Sequence, residues 1–374
     1  MDRYLSKALF QELDNRIVLL TGPRQCGKTT LSKMLVPNYQ YISYDLAEHR
    51  LLLKEKSWDR EKPLVIFDEL HKMDSWKTWL KGIYDVEGIP PALLVTGSAR
   101  LSAFRKVGDS LAGRHFEFRL HPVDLKEALA CTDMDRDEAF NRLMTVGGFP
   151  EPFLKGSTRF YNRWKRSHLD VILREDLITL SAVRDVQSIE TLIEMLRSRI
   201  GSPVSSNSLA RDLQKSPNTI QHWLQILEDL YVIFRVTPYH KNIARALLKE
   251  PKFYFYDNGM VQGDNGVKLE NLVACALLKE MHRVQDVEGE VVGLHFIRNK
   301  DGHEIDFLIT RDKEPSQLIE VKWIDDSLSP HFGRFLAGET VKRVQVVGKL
   351  PRSKSYPGGE RIESALGFLA SLSL

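Results

Sequence analysis

Cysteine is scarce in this chain, long apolar runs are missing, and neither sign of charge dominates. Three cysteines, Cys26, Cys131 and Cys275, lie far apart in 374 residues. Thiols so few and so spaced build neither a disulfide framework nor a zinc site, and the expected compartment is a reducing cytoplasm. No apolar stretch nears the about 20 residues that cross a bilayer, so no membrane partner is expected. The first residues, MDRYLSKALFQELDNR, carry an amphipathic helical pattern and no signal-peptide core. Lys and Arg number 53 against 50 Asp and Glu, a net charge of +3 that permits a nucleic-acid partner without arguing for one. There is no long repeat and no low-complexity tract. The length allows two to four domains of an ordinary globular kind.

The stretch RIVLLTGPRQCGKTTLSKML runs from Arg16 to Leu35. Ile17 to Leu20 read as a buried strand. The loop Gly22-Pro23-Arg24-Gln25-Cys26-Gly27-Lys28-Thr29-Thr30 follows, then a helix pattern with Leu31, Met34 and Leu35. Strand, glycine loop and helix in this order form a P-loop, whose backbone N–H groups turn inward around phosphate oxygens. Residues 22–30 are therefore the expected ATP-binding loop. Lys28 is placed for the terminal phosphates and the Thr29 hydroxyl for Mg²⁺.

PLVIFDELHK, from Pro63 to Lys72, is a second apolar strand, and it ends in Asp68-Glu69. Carboxyl ends of parallel strands face the ligand in an α/β sheet. Asp68 is thus expected to hold Mg²⁺ and Glu69 to polarise the attacking water. PALLVTGSAR, Pro91 to Arg100, is a third strand. Ser98 or Thr96 at its end is placed to orient water, or Ser98 simply caps a helix. Arg114, in SLAGRHFEFRL, stands where a trans-acting arginine finger would, with Arg100 as runner-up and a surface ion pair as the plainer alternative.

The ordered set TGPRQCGKTTL, IFDELHK, TGSAR, SLAGR and GGFPE (Gly147 to Glu151) resembles a family of AAA+-superfamily ATPases of bacteria and archaea. The resemblance runs over nearly the whole chain. It implies an α/β protein: a P-loop AAA+ core (1–120), a helical lid (121–186), a winged helix (187–262) and an α/β nuclease-like domain (263–374). It also implies ATP with Mg²⁺, and assembly into a homo-oligomeric ring, a hexamer foremost.

The residues of 121–186 recur apolar at helical spacing. Its basic run RWKRSH touches DNA or is a solvated helix face. In SNSLARDLQKSPNTIQHWLQILEDLYVIFRV, Ser206 to Val236, two helices are expected, Leu209 to Leu213 and one capped by Asn218. Ile220, Leu224, Leu227 and Leu230 form the buried stripe of the second. Thr219, Gln221 and His222 lie outside it, facing a groove of DNA together with Asn218. A hairpin follows, with Lys241, Arg245 and Lys249 at its tip. Residues 187–262 hold nine Lys and Arg against seven Asp and Glu, a weak balance for a dedicated reader of duplex DNA, so a packing role stays open.

GHEIDFLITRDKEPSQLIEVKW, Gly302 to Trp323, places acids within apolar strands. Glu320 and Lys322 share a strand face, and folding the hairpin brings Asp306 across from Val321. Carboxylates that converge at that distance repel unless a divalent cation joins them. Glu270, on a preceding amphipathic helix, is placed to complete the set, with Glu304 in assistance. Glu270, Asp306 and Glu320-x-Lys322 resemble the PD-(D/E)xK nuclease superfamily, including its Holliday-junction-resolvase branch, with Ile305 where the motif has proline. The resemblance implies Mg²⁺, or Mn²⁺, held by Glu270, Asp306 and Glu320, with Lys322 beside it. An edge-strand Glu320–Lys322 ion pair is the plainer alternative.

Two functions compete. One is an ATP-dependent endonuclease acting on branched or junction DNA. The other is an ATP-switched regulatory or defence-type signalling ATPase that binds DNA or a protein, with its nuclease domain silent or triggered.

Overall fold

The computed structural model describes residues 3–97, 111–177, 185–240, 249–336, 340–350 and 352–374. The chain divides into two compact units. Unit 1 is Met1–Pro122 with Asp229–Tyr231; unit 2 is Val123–Glu228 with Val232–Leu374.

In unit 1, helix α1 (Ser6–Glu12) precedes β1 (Ile17–Thr21), α2 (Lys28–Met34), β2 (Tyr39–Ser43), α3 (Ala47–Glu55), β3 (Leu64–Asp68), α4 (Trp76–Glu87), β4 (Ala92–Thr96) and β5 (His115–Arg119). The strands form one parallel sheet in the order β2-β3-β4-β1-β5. Every residue of β1, β3 and β4 is buried, which is why these segments read as unbroken apolar runs. Trp58, Phe67 and Trp79 meet edge-to-face at 5.4–5.7 Å in the core on one side. With β4 inserted between β1 and β3, the carboxyl ends of those three strands lie side by side. This sets Thr21, Asp68 and Thr96 at one rim.

Unit 2 opens with helices α5 (Leu125–Cys131), α6 (Arg136–Val146), α7 (Pro150–Lys155) and α8 (Thr158–Val171). Next come α9 (Val186–Arg197), α10 (Ser206–Asp212), α11 (Pro217–Asp229), β6 (Ile233–Pro238) and β7 (Lys252–Phe255). Then follow α12 (Asn265–Arg283), β8 (Val292–Arg298), β9 (Glu304–Arg311), β10 (Glu314–Lys322), β11 (Lys342–Val347), β12 (Lys354–Ser355), β13 (Glu360–Ser364) and α13 (Ala365–Ala370). One eight-stranded sheet runs β12-β13-β11-β10-β9-β8-β6-β7. Its centre is the antiparallel meander β8-β9-β10, and β11 and β13 add in parallel. Helix α12 starts at Asp264, whose side chain accepts from the Val267 N–H, and packs on β7, β8 and β10.

The segments expected as lid, winged helix and nuclease-like domain thus cluster in one unit, and buried polar bonds explain it. Lys279 of α12 meets Glu127 at 2.6 Å and Asp124 at 3.1 Å. Tyr161 of α8 donates to Asp257 at 2.8 Å, and the Asn258 amide donates to the Leu143 carbonyl. The GGFPE stretch belongs to this joint. Gly147 has φ +73°, and a Cβ there would lie 2.1 Å from Asp257 Oδ1.

Helix α11 begins at Pro217, one residue before the expected start. Proline suits a first helical position because its missing N–H has no partner there anyway. The cap is Ser216, not Asn218: its Oγ accepts from the Thr219 N–H at 3.1 Å. Ile220, Leu224, Leu227 and Leu230 are buried as expected, and Trp223 and Ile226 widen the stripe. In RWKRSH, Trp164 and His168 are buried and stacked, so that run is partly core.

Candidate functional site

The P-loop fills its space closely. Gly22 has φ +143°, and a Cβ on it would lie 2.2 Å from the Leu120 carbonyl oxygen. Only glycine passes there. Gln25 and Gly27 turn the loop through φ +62° and +97°. Cys26 is buried, and Arg3 ties its carbonyl (2.7 Å) to that of His121 (2.6 Å). Arg3 carries no motif and was invisible in the sequence. The buried Lys28 ammonium donates to the carbonyls of Gly22 (2.9 Å) and Pro23 (2.7 Å), spanning the loop from inside. Thr29 is half-buried and Thr30 exposed at the start of α2.

Asp68 is the hub of this rim. Its Oδ2 accepts from Thr29 Oγ1 at 3.2 Å and from the Tyr41 hydroxyl at 2.5 Å. Its Oδ1 accepts from the fully buried Thr96 hydroxyl. Thr29, Asp68 and Thr96, picked from three separate motifs, are thus one hydrogen-bonded set. Tyr41 was missed. Burial first, and then its bond to Asp68, push its phenol well above the usual range, so it remains a donor. Glu69 follows in left-handed backbone with φ +57°. Burial raises its carboxyl above the usual value, against the pull of Lys72, whose Nζ is 3.5 Å away. This rim fits a nucleotide with Mg²⁺. Thr29 and Asp68 are the two side chains that would hold the ion, and Lys28 would meet the phosphates on releasing the Gly22 and Pro23 carbonyls.

Arg114 is held in an ion pair at the surface of its own unit. Its guanidinium grips Asp85 through Nε at 2.6 Å and Nη2 at 3.1 Å. Ser98 and Arg100 lie outside the described residues, as do Lys241 and Arg245. On α11, Asn218, Gln221 and His222 are exposed, while the half-buried Thr219 bonds to the Ser216 hydroxyl.

In unit 2, the acids of the second motif do converge. Asp306 Oδ2 accepts from the Val321 N–H at 2.8 Å, which sets it against β10 beside Glu320. Glu320 is buried and pairs with Lys322 at 2.8 Å. Glu270 of α12 accepts from the Tyr254 hydroxyl at 2.7 Å. Burial, and then the neighbouring Asp306, push Glu270 and Glu320 each up to about 7.

Beside the acids expected to hold a metal, Glu270, Asp306 and Glu320, the structure adds a lysine. Lys252 of β7, with no exposed surface, puts its ammonium among the carboxylates. Nζ is 2.5 Å from Glu304, 3.5 Å from Glu270 and 3.8 Å from Asp306. Burial works against its charge, but the three acids overcome it and push Lys252 up to about 12. Among the described residues, no three acid, histidine or cysteine side chains gather at metal-ligand spacing. The donors present therefore do not fit Mg²⁺ or Mn²⁺ while Lys252 is there.

Comparison with known proteins gives three matches in chain order. Residues 14–129 match the family model of an AAA domain. Residues 137–268 match a domain of unknown function (DUF8612), and residues 265–348 another (DUF4143). Uncharacterized proteins of Mycobacterium bovis and Mycobacterium tuberculosis are each 29% identical over 66% of this chain, and the chain spans 55% of their length. An uncharacterized protein of Methanocaldococcus jannaschii is 24% identical over 83% of this chain and 75% of its own. Among solved structures, a Thermotoga maritima RuvB variant is 19% identical, covering 62% of this chain and 87% of its own, at a TM-score of 0.33. A DNA replication initiation factor is 16% identical, covering 60% and 86%, at 0.30. Scores this low bear on neither fold nor function. The family model makes unit 1 AAA-like, in agreement with its P-loop and parallel sheet.

Proposed function

We propose that this protein hydrolyses ATP in unit 1 and uses the cycle to act on DNA through unit 2. One observation carries the first half: Asp68 is fixed through both oxygens by Thr29, Tyr41 and Thr96, at the mouth of a P-loop whose lysine is buried and in place. Bound Mg²⁺ supplies charge neutralisation for the phosphates. The chain does the rest by position. Lys28 exchanges two neutral carbonyls for charged phosphate oxygens, a stronger kind of bond. Tyr41 and Thr96 hold the Asp68 carboxylate in one orientation, so none of its binding free energy goes into ordering it. Glu69, next in the chain, polarises the attacking water. Arg114 serves a neighbouring copy in a homo-oligomeric ring once it leaves Asp85.

The second half is supported by helices α10 and α11 followed by the β6–β7 pair, the order of a winged helix, and by the exposed Asn218, Gln221 and His222 on α11. Cleavage of branched DNA by Glu270, Asp306, Glu320 and Lys322 is a second reading. The convergence of these side chains from α12, β9 and β10 favours it, and the ammonium of Lys252 stands against it.

The test is ATP turnover by the full chain, with and without forked, duplex and single-stranded DNA. Lys28→Ala and Asp68→Asn should abolish turnover, and Gln221→Ala with His222→Ala should weaken DNA binding and any stimulation by DNA. Turnover that survives Lys28→Ala would sink the proposal.

A further inference from the structure

We infer that Lys252 is the resident cation of the unit 2 carboxylate cluster, and that it and a divalent metal exclude one another there. The inference goes beyond the reading of ATP turnover and does not depend on it.

The argument starts from charge. Glu270, Glu304, Asp306 and Glu320 bring four carboxyl groups to one place, all of them largely buried. Buried carboxylates need a counter-ion. Lys322 answers Glu320 from the open side, where 40% of its side chain is exposed. Lys252 answers the other three from the closed side.

Next, the carboxylates surround the ammonium. Asp306 spends Oδ2 on the Val321 N–H and turns Oδ1 toward Lys252. Glu270 Oε1 accepts from the Tyr254 hydroxyl and lies 3.5 Å from Lys252 Nζ. Glu304 Oε1 holds Lys252 closest of all. Glu320 Oε2 and the Lys252 ammonium are both buried without a well-aligned hydrogen bond, so the lysine is held among the carboxylates mainly by charge.

Space gives the third step. A divalent ion wants its oxygens at about 2.0–2.6 Å. An ion shared by Glu270 and Asp306 would stand where the ammonium stands. Two cations cannot share that volume.

The lysine is also not free to withdraw. Pro203 bridges to Lys252, and the Val204 N–H donates to the Pro251 carbonyl at 2.9 Å, on the side of β7 away from β6. Its ammonium lies 5.3 Å from the centre of the Phe296 ring. Lys252 thereby bonds the strand pair β6–β7 to β9 and α12 through a buried ion cluster.

The experiment is a Mn²⁺ titration of nucleotide-free full-length chain, read by electron paramagnetic resonance. It compares wild type, Asp306→Asn, Lys252→Met and the Lys252→Met/Asp306→Asn double variant. Wild type and Asp306→Asn should bind alike. Lys252→Met should gain one Mn²⁺ per chain, at least ten-fold tighter than any wild-type uptake at the cluster, and lose it in the double variant. Wild-type binding that disappears in Asp306→Asn overturns the inference. So does a folded Lys252→Met that gains nothing, because the lysine is then not what keeps metal out. If Lys252→Met does not fold, the first pair still decides, since Asp306-dependent uptake by wild type is incompatible with a resident lysine.

Discussion

Gly22→Ala and Gly82→Ala make the same chemical change and should have opposite signs. At Gly22 the new Cβ meets backbone: the Leu120 carbonyl oxygen at 2.2 Å and its carbon at 3.1 Å. Ordinary van der Waals contact begins about an ångström farther out, and no side-chain rotation can relieve a clash with a carbonyl. The φ of +143° adds strain of about 1–3 kcal/mol for a residue with a Cβ. Overlap and strain together should remove about 2–4 kcal/mol. At Gly82, inside α4, nothing lies within 4 Å of the added Cβ. Alanine there should stabilise by about 0.5–1 kcal/mol, since glycine loses more backbone entropy in a helix. The assay is urea unfolding of both variants with the linear extrapolation, checking that the slope is unchanged. Nucleotide binding is measured beside it, and only Gly22→Ala should lose it. A Gly22→Ala midpoint as high as that of Gly82→Ala would refute the loop conformation, and with it the placement of Lys28 and Thr29.

Thr96→Val keeps the shape of a fully buried side chain but removes a donor to Asp68. A bond to a charged group is worth about 1.5–3 kcal/mol, so stability should fall by that order and kcat for ATP by about ten-fold or more. Tyr161→Phe leaves the buried Asp257 with the Gly259 N–H at 3.1 Å but without its 2.8 Å phenol bond. It should cost about 1–3 kcal/mol in thermal or urea unfolding. The pH dependence follows from Glu270 and Glu320, raised from 4.5 to about 7. The folded state holds their protons where the unfolded chain has released them. Their contribution is therefore complete below about 4.5 and lost as pH rises through about 7, with a slope of at most about 1.4 kcal/mol per pH unit for each proton. Tm measured from pH 5.5 to 8.5 should fall with pH. Asp306→Asn should flatten the curve, because Asp306 is the largest contributor after burial to both shifts.

Local patterns were legible in this sequence and cross-sheet partners were not. Ile17 to Leu20 and Leu64 to Phe67 read as buried strands because both faces of a parallel sheet are covered. The P-loop was legible because strand, loop and helix are contiguous. Asp306 and Glu320 could be paired because one hairpin joins them, and β9 and β10 do lie antiparallel. Tyr41 could not be found this way. It reaches Asp68 because β2 lies beside β3, with Tyr41 level with Ile66. Nothing in YQYISYD marks it above Tyr39 or Tyr44. Arg3 is hidden for the same reason.

Lys252 is the instructive case. In EPKFYFYD nothing marks the lysine at the head of an aromatic strand as a partner of acids far along the chain. The acids of β9 and β10 nonetheless announced a cation. Carboxylates at Glu304, Asp306 and Glu320, joined by Glu270, require positive charge nearby if they are buried. That demand is purely electrostatic, and an ammonium meets it as well as a divalent ion does. The identity of the cation lies in geometry. A metal centre would draw oxygens in to about 2.0–2.6 Å on several sides at once. Here one oxygen of Glu304 is at 2.5 Å, while those of Glu270 and Asp306 stay at 3.5 and 3.8 Å. Of the three acids only Glu304 is within hydrogen-bond distance of the ammonium, and Glu270 and Asp306 act on it by charge. The motif therefore fixed where positive charge belongs, and the fold chose a lysine from a distant strand to provide it.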